Sequence, residues 1–224
     1  MQSQDDVEAA ARDIGRRIRA VRNSKHVTLT ALAQATGLSE GFISKLERGQ
    51  TSSSLANIIS IAGALKIDTY ELFADAVPSA KATEIEVHHR ASDSAFSLVE
   101  GTGYKYRLLA GAQPLDTMEV FHLVFPAENA MKTLVSHPGQ EHCFVLSGEI
   151  RFIVGKESHH LRPGDGIYIN SGIPHRAENV GFGEAHVLMT VVRPTDLSRS
   201  SSNHVDWWHL SEETSPQVRV ASSK

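Results

Sequence analysis

The chain has 224 residues, of which 41% are hydrophobic and 21% are charged, a balance typical of folded globular proteins that excludes a disordered or fibrous one. No apolar run approaches the roughly 20 residues that a bilayer-crossing helix needs, and the first residues form no secretory leader, so we expect a cytoplasmic protein without membrane contact. The single cysteine, Cys143, excludes an internal disulfide.

The net charge of -4 is unevenly distributed along the chain. Residues 10–50 hold eight lysines and arginines against three acidic residues, whereas residues 78–224 hold 13 basic and 17 acidic residues. A basic first part on a mildly acidic body indicates a polyanionic partner for the first part only. A charged run is usually a solvated helix face, so charge alone leaves the nature of this partner open.

Up to residue 73, apolar residues recur at helical spacing and are separated by residues that cap helices. Asp68 followed by Glu71 gives the pattern of a capping box for a last short helix. We predict five short helices. The residues expected to begin or end them are Thr28, Gly37, Ser39, Gly49 and Ser54.

Beyond about residue 83 the apolar period changes to two. Short runs such as MEVFHLVF and CFVLSGEIRFIV are separated by glycine-rich turns, which predicts an antiparallel β-sandwich or barrel. We therefore expect a helical domain, a linker, a β domain with an independent core, and a serine-rich tail. Their predicted bounds are 1–74, 75–82, 83–195 and 196–224.

Residues 27–67, VTLTALAQATGLSEGFISKLERGQTSSSLANIISIAGALKI, read as a helix, a turn at TGLS, a second helix and a supporting helix. The small Ala33 permits a close helix crossing, and the start of the second helix projects as a major-groove reader requires. These residues closely resemble the lambda-repressor-like helix-turn-helix of the Xre type, over roughly residues 12–73. The resemblance implies a five-helix DNA-binding domain; a helical protein-interaction module is the alternative.

The resemblance also implies roles for particular residues. Arg22 and Glu47 match a structural ion pair, and the hydroxyls of residues 51–53 are expected at phosphates, which fix register without reading sequence. The residues expected at the DNA are Thr28 and Arg48 at phosphates, and Ser39, Glu40, Gly41, Ser44 and Lys45 at or near base edges. Lys45 is suited to guanine and Glu40 to the cytosine amino group, whereas Gly41 offers no side chain.

The segments HPGQEHCFVLSGE and LRPGDGIYINSGIPHRAEN are similar to the two motifs of the cupin superfamily. The resemblance implies a double-stranded β-helix, or jelly-roll, barrel with inward-pointing metal ligands. His137, Glu141 and His175 occupy three ligand positions, but Val135 stands where the first histidine is expected. His122 and His186 are candidates to replace that imidazole if they face inward.

Two imidazoles and one carboxylate can hold one divalent metal ion such as zinc, iron or manganese with coordination positions left open. The alternatives are that the same side chains bind a polar ligand without metal, or that they form a structural cluster. Alternation along the strand places the Cys143 thiol on the same face as Glu141. The predicted effector pocket therefore contains Val135, His137, Glu141, Cys143 and His175.

A DNA reader joined to a concave barrel resembles the helix-turn-helix-plus-cupin regulators over nearly the whole chain. The resemblance implies a ligand-responsive transcriptional regulator, a repressor and not an enzyme, that forms a homodimer through its cupin domain. Such a dimer binds a roughly palindromic operator and responds to a small-molecule effector. Two alternatives remain open, namely a metal-dependent cupin enzyme fused to a DNA-binding module, and a constitutive repressor whose barrel only dimerises.

Overall fold

The computed structural model describes the following residues: 4–73, 98–110, 118–127, 131 and 133–192. The predicted linker at 75–82 and the predicted tail at 196–224 lie outside the described residues. In the part of the chain that is described, every helix is too short or too polar to cross a membrane.

The first part of the chain is helical, as expected, but the fifth predicted helix is a four-residue 3-10 turn. The elements are α1 (Gln4–Ser24), α2 (Leu29–Thr36), α3 (Glu40–Glu47), α4 (Leu55–Leu65) and the 3-10 turn (Thr69–Leu72). The capping box between Asp68 and Glu71 is present, but the amides of Glu71 and Phe73 donate to carbonyl oxygens three residues earlier, which is the 3-10 pattern, and not to those four residues earlier. The prediction was wrong in the type of this element and correct in its position.

The predicted caps begin three of the helices. The hydroxyls of Thr28, Ser39 and Ser54 each accept a hydrogen bond from the amide three residues later in the chain, at 3.0, 3.2 and 3.3 Å. At the other end of α2, Gly37 adopts a left-handed conformation with a φ of 71°, which a residue with a side chain rarely adopts. These contacts fix the short turn between α2 and α3.

Helices α1 and α3 cross so closely that their contact requires a glycine. A Cβ atom added at Gly15 would lie 2.1 Å from the carbonyl oxygen of Leu46, a distance that real Cβ atoms do not reach. Beside this crossing, Ile14 and Ile18 of α1 are buried in the same core as Ile43 of α3. The inner face of α3 is therefore held firmly, and its opposite face is left for solvent.

The second part of the described chain contains nine strands. They are β1 (Val99–Glu100), β2 (Lys105–Ala110), β3 (Met118–Phe125), β4 (Gln140–Ser147), β5 (Ile150–Val154), β6 (Glu157–Leu161), β7 (Gly166–Asn170), β8 (His175–Asn179) and β9 (Ala185–Val192). Among them, six form a sheet in the order β1-β2-β3-β9-β4-β7, and three form a second sheet in the order β6-β5-β8. All these neighbours pair antiparallel, which agrees with the predicted sandwich or barrel.

Strand alternation directs one face of each sheet into a shared interior. In β4, Glu141, Cys143 and Val145 are buried, whereas Phe144 and Leu146 between and beyond them are exposed. Side chains of β3, β4 and β9 in the larger sheet and of β5, β6 and β8 in the smaller sheet line one cavity. The strands therefore position their alternate side chains around an enclosed space.

The helical and β parts share one continuous core, although we expected the β domain to have an independent one. The ring of Phe73, which follows the last helical turn, lies 6.0 Å from the ring of Tyr106 and 5.9 Å from that of Phe121. Alternation in a strand reports which residues are buried but not which element buries them. The sequence pattern could therefore not show that the helices cover this edge of the barrel.

Candidate functional site

The first candidate site is the outer face of α3. Ile43 and Leu46 are buried and anchor the helix, while Glu40, Gly41 and Lys45 are exposed and Ser44 is partly exposed. Ser39 is exposed too, and its hydroxyl caps the amide of Phe42. The residues predicted at base edges thus lie on the solvent-facing side of α3, from its N-cap to its last turn.

Of the residues predicted at phosphates, some are exposed and one is buried. Thr28 and Arg48 are exposed on either side of α3, and the Arg48 guanidinium donates to Gln50 Oε1 at 3.0 Å and to the hydroxyl of Ser44. Ser53, in contrast, is only 2% exposed because the loop before α4 packs against β2. The prediction that Ser53 contacts phosphate is not compatible with this burial.

The second candidate site is the cavity between the two sheets. It has about 530 Å³ of space free of protein atoms, part of which is open to solvent. Most of its wall is apolar, with side chains such as Leu123, Phe152 and Met189, and the polar groups converge on one region around Glu141. A largely apolar cavity with a few convergent polar groups is the usual form of a small-ligand site.

His137, Glu141 and His175 meet in this region, and all three are at most 4% exposed. The Nε2 atoms of His137 and His175 lie 3.1 and 3.5 Å from the same carboxylate oxygen, Glu141 Oε2. His137 enters from the loop before β4, Glu141 from β4 itself, and His175 from the first position of β8. Their ligand atoms all lie within 4.8 Å of one another.

The outer nitrogens of both imidazoles face backbone carbonyl oxygens. Nδ1 of His175 lies 2.8 Å from the oxygen of Ile173, and Nδ1 of His137 lies 3.3 Å from that of Pro138. When Nδ1 donates to these carbonyls, a neutral imidazole presents the lone pair of Nε2 to the cluster. Two lone pairs and a carboxylate oxygen then converge and need either a bound cation or an added proton between them. The donor set therefore fits a divalent metal ion.

Protons on the imidazoles can take the place of the cation in this arrangement, and the charge states describe that alternative. Burial alone would raise the pKa of Glu141, but its hydrogen bonds with His137 and His175 and their positive charges outweigh burial and lower the pKa to about 2. Burial lowers the pKa of His175, but its hydrogen bond with Glu141 and the charge of that carboxylate bring the net pKa above the ordinary value. A carboxylate that remains ionised is available to a cation throughout the physiological range.

Val135 and Cys143 adjoin the cluster. Val135 pairs with His175 in an isolated antiparallel bridge, with N···O distances of 2.8 and 2.9 Å, and its side chain lines the cavity. The Cys143 thiol is buried and donates to Glu141 Oε1 at 3.2 Å, while burial and the nearby carboxylate raise its pKa. Both residues of the predicted pocket thus face the cavity, one with methyl groups and one with a thiol.

His122 and His186 do not replace the missing imidazole. They lie on the opposite face of the larger sheet, because they alternate with Leu123 and Val187, which line the cavity. There they contact each other, with His122 Nε2 3.0 Å from His186 Nδ1 and nearly parallel rings. The hypothesis that they complete the metal site was wrong.

Among the cavity residues that sequence reasoning did not name, Leu55, Ala56 and Tyr104 come from outside the two cupin motifs and connect the cavity to the helical domain. Leu55 and Ala56 belong to the first turn of α4, so the helical domain supplies part of the cavity wall. Alternation in the run YKYRLL places its two tyrosines, Tyr104 and Tyr106, on one face, and this was the available sequence signal that they face the same side. Nothing in that run indicates that a helix of the other domain covers the face.

Two family models match the sequence at separate positions. Residues 18–72 match the helix-turn-helix model, and residues 122–191 match the cupin domain model. No curated protein matches the sequence. The two matches agree with the helical and β parts described above, and together they confirm both predicted domain types.

Solved structures are similar to the chain as a whole. The crystal structure of an HTH_3 family transcriptional regulator from Vibrio cholerae has 23% sequence identity and a TM-score of 0.61, with 84% of this chain and 98% of that chain covered. Hydroxypropylphosphonic acid epoxidase from S. wedmorenis has 18% identity and a TM-score of 0.44, with coverages of 82% and 99%. At these identities the first comparison shows a common fold, and the second is too distant to carry an argument.

Proposed function

This chain joins a helix-turn-helix domain to a cupin domain, and we propose that it is a transcriptional repressor whose DNA binding responds to a small molecule or metal ion held in the cupin cavity. The observation that carries the proposal is a projecting α3 surface and a buried polar cluster in one folded unit. We call the exposed side of α3, with Ser39, Glu40, Gly41, Ser44 and Lys45, the reader surface. A reader surface without a cavity would fit a constitutive repressor, and a cavity without a reader surface would fit an enzyme.

The DNA contacts follow from the exposed side chains of α3. Lys45 is placed to donate to guanine in the major groove and Glu40 to accept from a cytosine amino group, while Ser39 and Ser44 offer hydroxyls beside them. Gly41 lets the backbone approach the bases. Thr28 and Arg48 flank the helix and are suited to the phosphates on either side.

We further propose that the effector pocket contains Val135, His137, Glu141, Cys143 and His175, and that His137, Glu141 and His175 hold a zinc, iron or manganese ion. A bound ion supplies positive charge and open coordination positions, which suit an effector with a carboxylate or another oxygen ligand. The apolar wall suits the remainder of such an effector.

A second copy of the chain is the proposed partner of the cupin domain. Four large apolar side chains on the outer face of the larger sheet are 37–52% exposed, namely Met118, Phe144, Leu146 and Val192. They lie on three consecutive strands of the sheet, in the order β3-β9-β4. Pairing of two such faces would bury them and present two α3 helices to the half-sites of a palindromic operator.

The direct test starts with selection of bound duplexes from a random library, followed by titration of the selected duplex. Lys45→Ala should weaken specific binding by about 1–3 kcal/mol and relax one base position. Lys156→Ala, which removes an exposed lysine from the β5–β6 turn, is the matched control and should leave binding unchanged. Equal binding of all duplexes before and after the Lys45 change would refute the reader surface.

The dimer has a separate test in sedimentation. Phe144→Asp places a charge in the apolar face and should convert the dimer to a monomer. Phe182→Asp is the control, because Phe182 is fully exposed in the β8–β9 turn and lies on none of the strands that form this face. A wild-type chain that sediments as a monomer at micromolar concentration would remove the two-fold arrangement from the proposal.

The histidine and glutamate cluster also favours a second candidate function, a metal-dependent enzyme fused to a DNA-binding module. Three protein ligands leave coordination positions open, as catalytic metal sites require. The candidates differ in what ligand binding changes. In a regulator the ligand remains intact and alters operator affinity, whereas in an enzyme it is converted while operator affinity stays constant.

A further inference from the structure

The cavity and the DNA-binding domain meet at the start of α4. Leu55 and Ala56 line the cavity and are 1% and 5% exposed. The helix α4, which follows the proposed reader helix α3, therefore forms part of the cavity wall. Only the seven residues between Glu47 and Leu55 separate the end of α3 from the start of α4. A displacement of this first turn by an occupant is therefore transmitted to α3 through a very short segment.

Tyr104 connects the two parts with a specific hydrogen bond. Its hydroxyl accepts from the amide of Leu55 at 3.1 Å, while its ring lies 5.1 Å from that of Phe125 in a stacked arrangement. Both aromatic side chains line the cavity. Tyr106, at the second position of β2, donates to the carbonyl oxygen of Ser53 at 3.3 Å.

The amide of Leu55 is one of the free N–H groups that every helix has in its first turn. Ser54 caps the amide of Asn57, and Tyr104 supplies the acceptor for Leu55 from another domain. The helix start is thus completed by a residue of the barrel. Loss of that acceptor would leave a buried N–H group without a partner, which costs more than an ordinary hydrogen bond contributes.

The Tyr104 side chain lines the same cavity as the polar cluster of His137, Glu141 and His175. Burial raises the pKa of Tyr104 far above its ordinary value, the Leu55 hydrogen bond opposes this rise, and the nearby negative charge of Glu141 adds to it. The hydroxyl therefore keeps its proton. Within the described part of the chain, its hydrogen bonding consists of the bond accepted from Leu55, so the proton is available to an occupant of the cavity.

We propose that Tyr104 is a positioning residue that links the occupancy of the His137–Glu141–His175 cluster to the first turn of α4 and so to the reader helix. An oxygen atom of the occupant, or a water ligand that a metal ion brings with it, accepts a hydrogen bond from the Tyr104 hydroxyl, shifts that hydroxyl and changes its bond to the Leu55 amide. This inference rests on the proposed function, because it names the route by which the cavity regulates DNA binding.

The first experiment measures hydrogen exchange of the Leu55 amide by NMR in the full-length protein without added ligand. Tyr104→Phe retains the ring that stacks on Phe125 and removes only the hydroxyl. We expect exchange of this amide to accelerate about three- to tenfold, the effect of one lost hydrogen bond. Tyr168→Phe removes an exposed hydroxyl on β7 and should leave the exchange unchanged. An unchanged Leu55 amide in Tyr104→Phe overturns the link.

The second experiment uses zinc alone as the probe and measures affinity for the selected duplex. Zinc should change the affinity of the wild type about fivefold or more, within the usual range of coupling between sites. Tyr104→Phe should retain zinc after dialysis but lose this response. A zinc response that survives in Tyr104→Phe overturns the proposal, and so does a wild type whose duplex binding is independent of zinc.

The outcomes also separate this inference from the proposed function. A chain that binds no duplex refutes the regulator, while the Leu55 exchange still decides whether Tyr104 holds α4. A chain that binds its duplex specifically but with equal affinity in all zinc conditions remains a DNA reader and refutes the link. Thermal unfolding of both tyrosine variants checks that each is folded, and Tyr104→Phe is compared only below its unfolding transition.

Discussion

Arg22 and Glu47 form a largely buried, two-point ion pair between α1 and the last residue of α3. The Nε and Nη2 atoms of Arg22 lie 2.6 and 2.9 Å from the two carboxylate oxygens, and Nη1 donates to the carbonyl oxygen of Val27 at 2.9 Å. The side chains are 12% and 5% exposed. The pair was expected from the sequence, and it orients the end of the reader helix against α1.

Removal of one partner from this pair should destabilise the protein strongly. Glu47→Ala leaves the guanidinium of Arg22 buried without its carboxylate, so we expect the free energy of unfolding to fall by about 3–5 kcal/mol. The control is Arg151→Ala, which breaks an exposed pair with Glu178 and should cost at most about 1 kcal/mol. Urea unfolding of the two variants measures both values, and equal losses would contradict the prediction.

Alanine variants of Gly41 and Gly63 distinguish an effect on stability from an effect on DNA binding. Both lie in helices, and a Cβ atom added at either position meets no heavy atom within 4 Å. Each change to alanine should therefore raise the free energy of unfolding by up to about 1 kcal/mol, because glycine has the lower helix propensity. Only Gly41 lies on the proposed reader surface, so Gly41→Ala should also weaken duplex binding while Gly63→Ala should not. Equal duplex affinity of the two variants would mean that the backbone at Gly41 is not close to DNA.

The histidine pair on the outer face of the sheet predicts a pH dependence. Burial of His122, together with the positive charges of Arg107 and His186, lowers its pKa to about 4 from 6.5. The carboxylate of Glu184 lies 3.9 Å from Nε2 of His186 and is an acidic group beside the pair. Because the unfolded chain binds this proton more readily, the stabilisation is present above about pH 6.5 and is lost as the pH falls toward 4.

The measurement is the melting temperature between pH 7 and 4. His122→Gln should flatten its decline relative to the wild type, whereas His142→Gln, at an exposed position of β4, should leave the decline as it is. The comparison between variants is the readout, since other groups titrate in the same interval. Identical slopes in all three proteins would show that His122 does not contribute.

Much of the fold follows from local patterns that the sequence displays directly. The caps at Thr28, Ser39 and Ser54 depend on contacts within four residues, and alternation in β4 depends only on its pleat. Such features need no knowledge of tertiary structure. The 3-10 turn was mistaken for a helix because a capping box marks where a helix begins but not how far it continues.

The errors concern contacts between elements distant in the sequence. Whether His122 faces the cavity or the outside depends on the register of β3 against the barrel, and a shift by one residue reverses it. The burial of Ser53 and the role of Tyr104 depend on the packing of α4 against β2, 49 or more residues away. The cluster of His137, Glu141 and His175 was accessible only through resemblance to a known motif.

The last prediction concerns Val135, where a histidine would complete the ligand set. Val135 and His175 form a hydrogen-bonded antiparallel pair, and side chains of such pairs are about 4.5–5.5 Å apart at Cβ. Since both line the cavity, Val135→His would place a fourth ligand beside the existing three. We expect this variant to retain zinc through dialysis better than the wild type.

The free energy of unfolding of Val135→His should fall without metal and recover when zinc binds. Without metal, an imidazole in place of the valine methyls should cost about 1–3 kcal/mol if it finds no partner. Zinc at a hundredfold excess over its dissociation constant would contribute about 2.7 kcal/mol and offset this cost. Val187→His, which also introduces an imidazole into the cavity wall, is the control and should lose stability without gaining zinc retention. A wild type that already holds one metal per chain would show that three ligands suffice, and a Val135→His chain that stays metal-free would show that the side chains do not converge on one ion.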